Sequence, residues 1–203
     1  MLDVACGRGR YAKLLAAEGF PVVGFDLSPD SIAYAKQFES ANLSFYQHDM
    51  RLPFWINYFD YVFNFFTSFG YFRTRHEHDA AVGTMAASLR QKGLLVIDYL
   101  NVHFTEDHLV PAEENILGNT VFTIHRWQDE WHFFKKIQIT DPSLETPLLF
   151  TEELRKLTLD DFTGMLSFRN LQVKEVFGDY QLSAYTSKTS PRLIMIAEKE
   201  NIT

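Results

Sequence analysis

Two glycines and an aspartate near the start of the chain have the types and spacing of a nucleotide-binding site. Gly7 and Gly9 follow a short apolar run, and Asp26 stands nineteen residues after Gly7. Glycines let backbone N–H groups approach a ligand closely at the start of a helix. A carboxylate at the end of the following strand can accept hydrogen bonds from both ribose hydroxyls of an adenosine cofactor. The ligand class stays open at this point, because Gly7-x-Gly9-x-x-Ala12 also satisfies the dinucleotide fingerprint.

The elements that must position these residues alternate between short apolar runs and helical stretches, as parallel βαβ units do. The first of the helices is predicted to turn Tyr11, Leu14 and Leu15 toward one face. The predicted strands are 2–5, 21–25, 43–47, 59–65 and 94–99, and the predicted helices are 10–18, 28–39 and a third that ends near Gly93.

The second half of the chain changes to an antiparallel pattern. Two strands flank the polar turn 128–130, a third is expected over 148–157, and a capping box at Thr158 opens a helix. The final strands are expected at 171–177 and 192–198. The predicted fold class is α/β, with a doubly wound, mostly parallel seven-stranded sheet whose last strand is antiparallel. An inserted antiparallel sheet, at about 104–157, follows strand five within one domain covering 1–203.

The amino-acid composition and the net charge limit the partners and the cellular compartment that are expected for this protein. The formal net charge of −7 and the absence of a dense basic run argue against nucleic acid as a partner. The single cysteine, Cys6, excludes an internal disulfide and fits a reducing compartment. No run approaches the roughly 20 apolar residues of a membrane span, and no signal peptide is recognised, so a cytoplasmic protein is expected. His76 and His78 are expected at the surface, and no metal site is predicted.

Five spaced elements within the first hundred residues resemble those of class I S-adenosylmethionine-dependent methyltransferases. These enzymes have an acidic and a small residue before a Gly-x-Gly loop, a second acidic residue for the ribose and a third near the adenine. A characteristic fourth strand and a glycine turn before strand five complete the set. The matching segments are Asp3-Val4-Ala5-Cys6-Gly7-Arg8-Gly9, Asp26-Leu27, His48-Asp49-Met50, Phe59–Asn64 and Leu89–Leu94.

The resemblance implies S-adenosylmethionine as the cofactor and S-adenosylhomocysteine as the product. It implies that Asp26 binds the ribose, that Leu27 touches the adenine and that Asp49 lies near the adenine amino group. Arg10 replaces the third glycine of many such loops. The cofactor-binding residues that it implies are Asp3, Ala5, Gly7, Gly9, Arg10, Asp26, Leu27, Asp49, Met50, Asn64 and Phe65.

The acceptor of the methyl group is expected to be a small metabolite, methylated on N or O by in-line displacement. Aromatic residues after strand four should line the crevice at the carboxyl ends of the strands, where aromatic faces favour cations. Tyr71 is the candidate catalytic residue. The candidate substrate-binding residues are Phe66, Ser68, Phe69, Tyr71, His103 and Tyr180. The inserted sheet is similar to that of glycine and amino-sugar N-methyltransferases, which implies a lid or a homodimer contact.

Two alternatives share the same glycine loop and Asp26. One is a nicotinamide-dependent oxidoreductase, and the other is a catalytically silent methyltransferase-like binding module. Met1 already lies on the first strand, whereas relatives usually carry helices before it. The expectation is therefore that an N-terminal cap is missing, by truncation of the sequence rather than by loss in this subfamily. The sequence does not identify the methyl acceptor.

Overall fold

The computed structural model describes residues 1–201 and divides them between two sheets and the helices around them. The strands are β1 (Leu2–Val4), β2 (Val22–Asp26), β3 (Leu43–Gln47), β4 (Phe59–Asn64), β5 (Leu89–Leu100), β6 (Ala112–Leu117), β7 (Thr120–Gln128), β8 (His132–Thr140), β9 (Leu148–Arg155), β10 (Leu171–Phe177) and β11 (Arg192–Lys199). The helices are α1 (Arg10–Ala17), α2 (Pro29–Ala35), α3 (Arg75–Ser88), α4 (Val102–Asp107) and α5 (Leu159–Ser167), and a 3₁₀ turn spans Lys36–Phe38.

The seven-stranded sheet has the order β10-β11-β5-β4-β1-β2-β3. Strands β1 to β5 pair in parallel, whereas β11 is antiparallel to both β5 and β10. The predicted fold class is therefore confirmed. Because β1 is flanked by β2 on one side and β4 on the other, the strand order reverses there. The carboxyl ends of these strands open a crevice in which ligands of such sheets bind.

Two apolar clusters hold the sheet between its helices. The larger packs α3 and α5 against the central strands, and the smaller packs α1 and α2 against β2 and β3. Helix α1 contacts the smaller cluster through Ala12, Leu15 and Ala16. Leu14, predicted to share one face with Tyr11 and Leu15, is 59% exposed. No helix among the described residues is both long and apolar enough to cross a membrane.

The inserted sheet has four strands in the order β6-β7-β8-β9, one more than the sequence pattern predicted. The added strand β6 is exposed along its whole length and shows no apolar alternation, so it carried no strand signal. Helix α4 was also missed and precedes the sheet. Phe133 and Leu154 anchor the sheet in the larger core cluster. The Arg155 N–H donates to the Gly70 carbonyl (2.8 Å), which ties the sheet to the loop after β4.

His78 is buried, so its predicted surface position is wrong. Thr74 caps α3, and a helix that starts there places His78 in one row with Val82 and Met85, both fully buried. Its Nδ1 lies 2.9 Å from the Thr74 carbonyl oxygen. Burial lowers the pKa of His78, so the neutral ring packs as part of the core.

Candidate active site

The glycine loop between β1 and α1 is tied to Asp26 by hydrogen bonds. The Gly7 N–H donates to Oδ2 of Asp26 (2.8 Å), and the Ser28 N–H donates to Oδ1 (2.9 Å). The carboxylate thus joins the glycine loop to the start of α2, where Ser28 is the N-cap. Each oxygen keeps further acceptor capacity for a ligand.

The two glycines of the loop serve different purposes. Gly9 has φ +74°, and a Cβ there would lie 2.4 Å from the ring of Phe45. Gly7 has φ +54°, and a Cβ there would meet nothing within 4 Å. Gly9 therefore permits packing of the loop on β3, whereas Gly7 leaves its Cβ side open.

Gly9→Ala is expected to lower the free energy of unfolding by about 2–5 kcal/mol, from left-handed strain and overpacking combined. Gly7→Ala adds only the strain, about 1–2 kcal/mol. Urea unfolding of the two variants measures the difference. Equal losses would show that contact with Phe45 does not set the requirement at Gly9.

A cavity of about 270 Å³ opens beside Asp26 at the carboxyl edge of the sheet. We call it the Asp26 cavity; it is lined by Ala5, Phe25, Asp26, Leu27, His48, Asp49, Met50, Arg51, Tyr71 and Phe72. Leu27 is 62% exposed and presents an apolar surface beside the carboxylate. Five of the candidate cofactor-binding residues therefore line one cavity, together with Tyr71.

Arg51 holds Asp49 in place, although no sequence pattern marks it for this role. Its backbone N–H and Nε donate to Oδ1 of Asp49 (2.9 and 3.1 Å), and Nη2 donates to Oδ2 (2.7 Å). Its Nη1 lies 2.6 Å from Glu77 at the start of α3. Hydrogen bonds from Arg51 lower the pKa of Asp49, so this carboxylate is ionised and fixed in orientation.

A second cavity, of about 170 Å³, lies against the glycine loop and shares Ala5 with the first. We call it the Asp3 cavity; it is lined by Asp3, Ala5, Cys6, Gly7, Arg10, Tyr11, Phe65, Phe66 and Ser68. Asp3 is only 2% exposed, and its Oδ2 accepts no hydrogen bond from the described residues. Burial raises the pKa of Asp3 to about 7. A buried carboxylate oxygen of this kind fits a cationic donor from a ligand.

The segment after β4 closes the Asp3 cavity with aromatic rings. Phe66 and Thr67 both have left-handed backbones, with φ 56° and 57°, at a cost of about 1–2 kcal/mol each. The Phe66 ring stacks on Tyr11 (5.0 Å between centroids) and on Tyr180 (5.6 Å). Phe66 and Tyr180 also line a larger, adjacent apolar cavity of about 460 Å³. The strained segment therefore places Phe66 between α1 and the 178–190 loop.

A further cavity of about 190 Å³ lies under the inserted sheet and shares Tyr71 with the Asp26 cavity. We call it the inserted-sheet cavity. Strand register places Arg126, Lys135 and Glu152 side by side, and all three line it. Burial, with a contribution from the charge of Glu152, raises the pKa of Tyr71. Tyr71 therefore lies where the two cavities meet. Sequence spacing alone does not predict strand pairing, so it does not predict that Arg126, Lys135 and Glu152 lie side by side.

Two candidate site residues are fully buried. Phe69 has no exposed surface and packs against Phe72, His78 and Phe162, so its predicted contact with substrate is wrong. The loop turns this residue inward at a position that the sequence does not mark. The Nδ2 of Asn64 donates to the carbonyl of Val4 (3.1 Å) and links β4 to β1, whereas its Oδ1 accepts no hydrogen bond from the described residues. Asn64 therefore stays a candidate for the cofactor site.

Two other candidate residues lie away from the Asp26 and Asp3 cavities. His103 is on α4, and its Nδ1 is 3.7 Å from Glu106 at the surface. Tyr180 lies across Phe66 from the glycine loop, and its hydroxyl donates to Asp98 (3.0 Å). Ser68 does line the Asp3 cavity, and its Oγ donates to the Phe65 carbonyl (2.7 Å). The structure thus gathers the cofactor candidates more closely than the substrate candidates.

Comparison with known proteins agrees with this geometry. A family described as a methyltransferase domain matches residues 1–93. A protein of Geobacillus sp. (strain WCH70) that is described as a putative methyltransferase is 27% identical over 213 residues, covering 98% of this chain and 84% of the relative. The dTDP-3-amino-3,4,6-trideoxy-alpha-D-glucopyranose N,N-dimethyltransferase of Streptomyces venezuelae is 33% identical over 98 residues, covering 48% of this chain and 41% of that enzyme.

Among solved structures, a S-adenosylmethionine-dependent methyltransferase from Clostridium acetobutylicum ATCC 824 superposes with a TM-score of 0.85 at 16% identity. The match covers 98% of this chain and 83% of the other. The fold, the glycine loop with Asp26 and the relatives agree, and they favour the methyltransferase interpretation over the nicotinamide-dependent alternative. Residues 1–93 therefore match the methyltransferase domain family, and the whole chain has the fold of S-adenosylmethionine-dependent methyltransferases.

Proposed function

We propose that the protein binds S-adenosylmethionine across the Asp26 and Asp3 cavities and transfers its methyl group to N or O of a small metabolite. Asp26 would accept hydrogen bonds from the ribose, Leu27 would contact the adenine and Asp49 would lie near the adenine amino group. Asp3 would face the ammonium of the methionine end, because its Oδ2 is buried and accepts no hydrogen bond. The proposed set at the Asp3 cavity also includes Gly7, Arg10 and Phe65.

The chemistry requires little covalent participation from the protein. When bound, S-adenosylmethionine supplies a methyl group on a positively charged sulfur that becomes a neutral thioether after transfer. The residues of the chain contribute by holding the acceptor close to that methyl group, an effect worth up to about 7–11 kcal/mol in favourable cases. Tyr71 is placed to do so, because it lines both the Asp26 cavity and the inserted-sheet cavity.

An amine is the acceptor that the inserted-sheet cavity favours, and the position of Glu152 is the observation that carries this proposal. Its carboxylate lines the cavity near Tyr71 and is 3.4 Å from the ammonium of Lys135. Such a partly exposed ion pair is weak, about 0–1 kcal/mol, so an incoming ammonium can compete with Lys135. The other cation of the cavity, Arg126, is paired with Glu113 (2.8 Å) and leaves Glu152 to the ligand. The rings of Tyr71 and Phe133 add aromatic surface that attracts cations.

Glu152 would also take up the proton that the bound ammonium must lose before transfer, because only the neutral amine has the lone pair that attacks the methyl group. As the N–C bond forms and the C–S bond breaks, the electron pair of the broken bond would go to sulfur. The methylated nitrogen would then be an ammonium, and the sulfur a neutral thioether. Sequence similarity to an N,N-dimethyltransferase of an amino sugar supports the same acceptor class. Glycine N-methyltransferase of Oryctolagus cuniculus, 31% identical over 57% of this chain, supports it as well.

Matched pairs that differ only in N or O test the acceptor. The protein is incubated with radiolabelled S-adenosylmethionine and one member of each pair. The pairs are glycine and glycolate, and a dTDP-amino sugar and its hydroxyl counterpart. Transfer is expected to the amine member, with kcat/KM falling about tenfold to a hundredfold in Glu152→Gln. Glu153→Gln is the control, because Glu153 alternates to the other face of β9 and is exposed. Transfer to the hydroxyl member alone, with Glu152→Gln unchanged, would contradict the amine assignment.

A homodimer through the inserted sheet stays a prediction. Register places Leu148 and Phe150 on the same face as Phe133 and Leu154, but beyond the part that packs on the core. These two side chains are 44% and 51% exposed. An apolar extension of this kind favours a second copy of the chain as its partner.

A further inference from the structure

A buried acidic residue on β5 organises the segment that closes the Asp3 cavity. Asp98 is only 2% exposed, although it interrupts an apolar strand. A carboxylate removed from water in this way requires charged or hydrogen-bonding partners. Its partners come from three separate parts of the chain: the segment after β4, the 178–190 loop and the start of β11.

The first partners are the two left-handed residues themselves. The Phe66 N–H donates to Oδ2 of Asp98 (3.0 Å), and the Thr67 N–H donates to the backbone carbonyl of Asp98 (2.9 Å). Strained left-handed backbone persists only where its surroundings fix it. Asp98 alone supplies that constraint, through its side chain at Phe66 and through its backbone carbonyl at Thr67.

Arg192 completes the arrangement from β11. Its Nε and Nη2 both donate to Oδ1 of Asp98 (2.8 and 2.6 Å), and Nη2 also reaches the hydroxyl of Thr67 (3.0 Å). The Tyr180 hydroxyl donates to Oδ2 of Asp98 (3.0 Å) and holds its ring against Phe66. A guanidinium fork bound by two nitrogens orients a carboxylate more strictly than a lysine does.

We propose that Asp98 and Arg192 are positioning residues that hold Phe65–Ser68 in the conformation that encloses the methionine end of the cofactor. This inference rests on the proposed function, since it requires that end to occupy the Asp3 cavity. Neither residue lines the Asp3 cavity, so both act through Phe66 and its neighbours. If the fork is lost, the strained segment relaxes and the aromatic wall of that cavity is no longer fixed.

The test compares two ligands that differ at the methionine end. S-adenosylhomocysteine carries the amino-acid group, and 5′-methylthioadenosine lacks it. In Arg192→Met, affinity for S-adenosylhomocysteine by calorimetry is expected to fall about tenfold to a hundredfold, whereas affinity for 5′-methylthioadenosine changes little. Arg192→Lys should recover part of the loss. Tyr180→Phe is the milder variant, because it removes one hydrogen bond and keeps the ring.

Lys199→Met is the matched control. Lys199 is a buried cation at the other end of β11, where its Nζ donates to the Leu89 carbonyl (2.7 Å). Its removal is expected to leave both affinities unchanged, which separates positioning from a general effect on the sheet. Equal losses for the two ligands, or unchanged S-adenosylhomocysteine affinity in folded Arg192→Met and Tyr180→Phe, would overturn the positioning role. Failure of the wild-type protein to bind S-adenosylhomocysteine would instead overturn the proposed function, and this inference with it.

Discussion

Asp26→Asn is expected to weaken binding of S-adenosylhomocysteine by roughly two to four orders of magnitude. Two hydrogen bonds from ribose hydroxyls to a carboxylate are worth about 1.5–3 kcal/mol each, and an amide accepts through one atom only. The substitution also weakens the hold on the glycine loop, because Oδ2 of Asp26 accepts the Gly7 N–H (2.8 Å). One substitution therefore weakens both the ribose contacts and the hydrogen bond that holds the glycine loop.

Calorimetry on folded protein measures this loss, and Asp30→Asn is its control. Asp30 is an exposed acidic residue in the first turn of α2. Its replacement changes the net charge by the same amount as Asp26→Asn, and it is expected to leave the affinity within about twofold, as for surface substitutions. Comparable losses in the two variants would indicate a general charge effect rather than a ribose contact.

The affinity for S-adenosylhomocysteine is expected to rise with pH between about 5 and 7. Burial raises the pKa of Asp3 to about 7, so below that pH this carboxyl carries a proton in the ligand-free protein. An ammonium binds the ionised form, and binding must therefore release the proton. The affinity can fall by up to about tenfold for each pH unit below the pKa. Proton release is measured by calorimetry in buffers with different ionisation enthalpies.

Asp3→Asn and 5′-methylthioadenosine serve as controls for the pH dependence. The variant has no proton to release, and the ligand has no ammonium, so each is expected to show a flat profile over the same range. A slope that persists in Asp3→Asn would assign the proton to another group.

Asp3 is also expected to make the free energy of unfolding of the ligand-free protein depend on pH. The pKa of Asp3 rises from 3.8 to about 7 on folding, so the native state binds more protons than the unfolded state between these values. The contribution of Asp3 to the free energy of unfolding therefore falls as pH rises from about 4 to 7 and then levels off. Above pH 7, Asp3→Asn avoids the cost of burying the charge, and urea unfolding at pH 5 and pH 8 measures the difference.

Sequence patterns predicted the parts of the fold that local physics determines. Apolar runs bounded by glycine and capping residues marked the parallel strands, and Thr158 marked the start of α5. They could not predict strand β6, which is exposed and has no alternation. The pairing that brings Arg126, Lys135 and Glu152 together also depends on register, which arises only when the strands assemble.

The candidate site likewise contains residues whose position the sequence predicts and residues whose position it does not predict. Asp26 is the last residue of β2, and Leu27 and Asp49 come just after β2 and β3, so their position at the carboxyl edge follows from the βα order alone. Phe69 and Tyr71 are two residues apart, yet one is fully buried and the other is 48% exposed. Their separation depends on the path of an irregular loop. Asp98 did carry a signal, because a charged residue within an apolar strand needs a partner, but its partner Arg192 is ninety-four residues away.

Calorimetric titration of the wild-type protein with S-adenosylhomocysteine, beside an identical titration with NADH, tests the central claim most directly. One-to-one binding of S-adenosylhomocysteine with micromolar affinity, and no heat from NADH, is the result that the cavities beside Asp26 and Asp3 predict. Binding of NADH without binding of S-adenosylhomocysteine would contradict the proposed cofactor and would identify the glycine loop as a dinucleotide-binding loop.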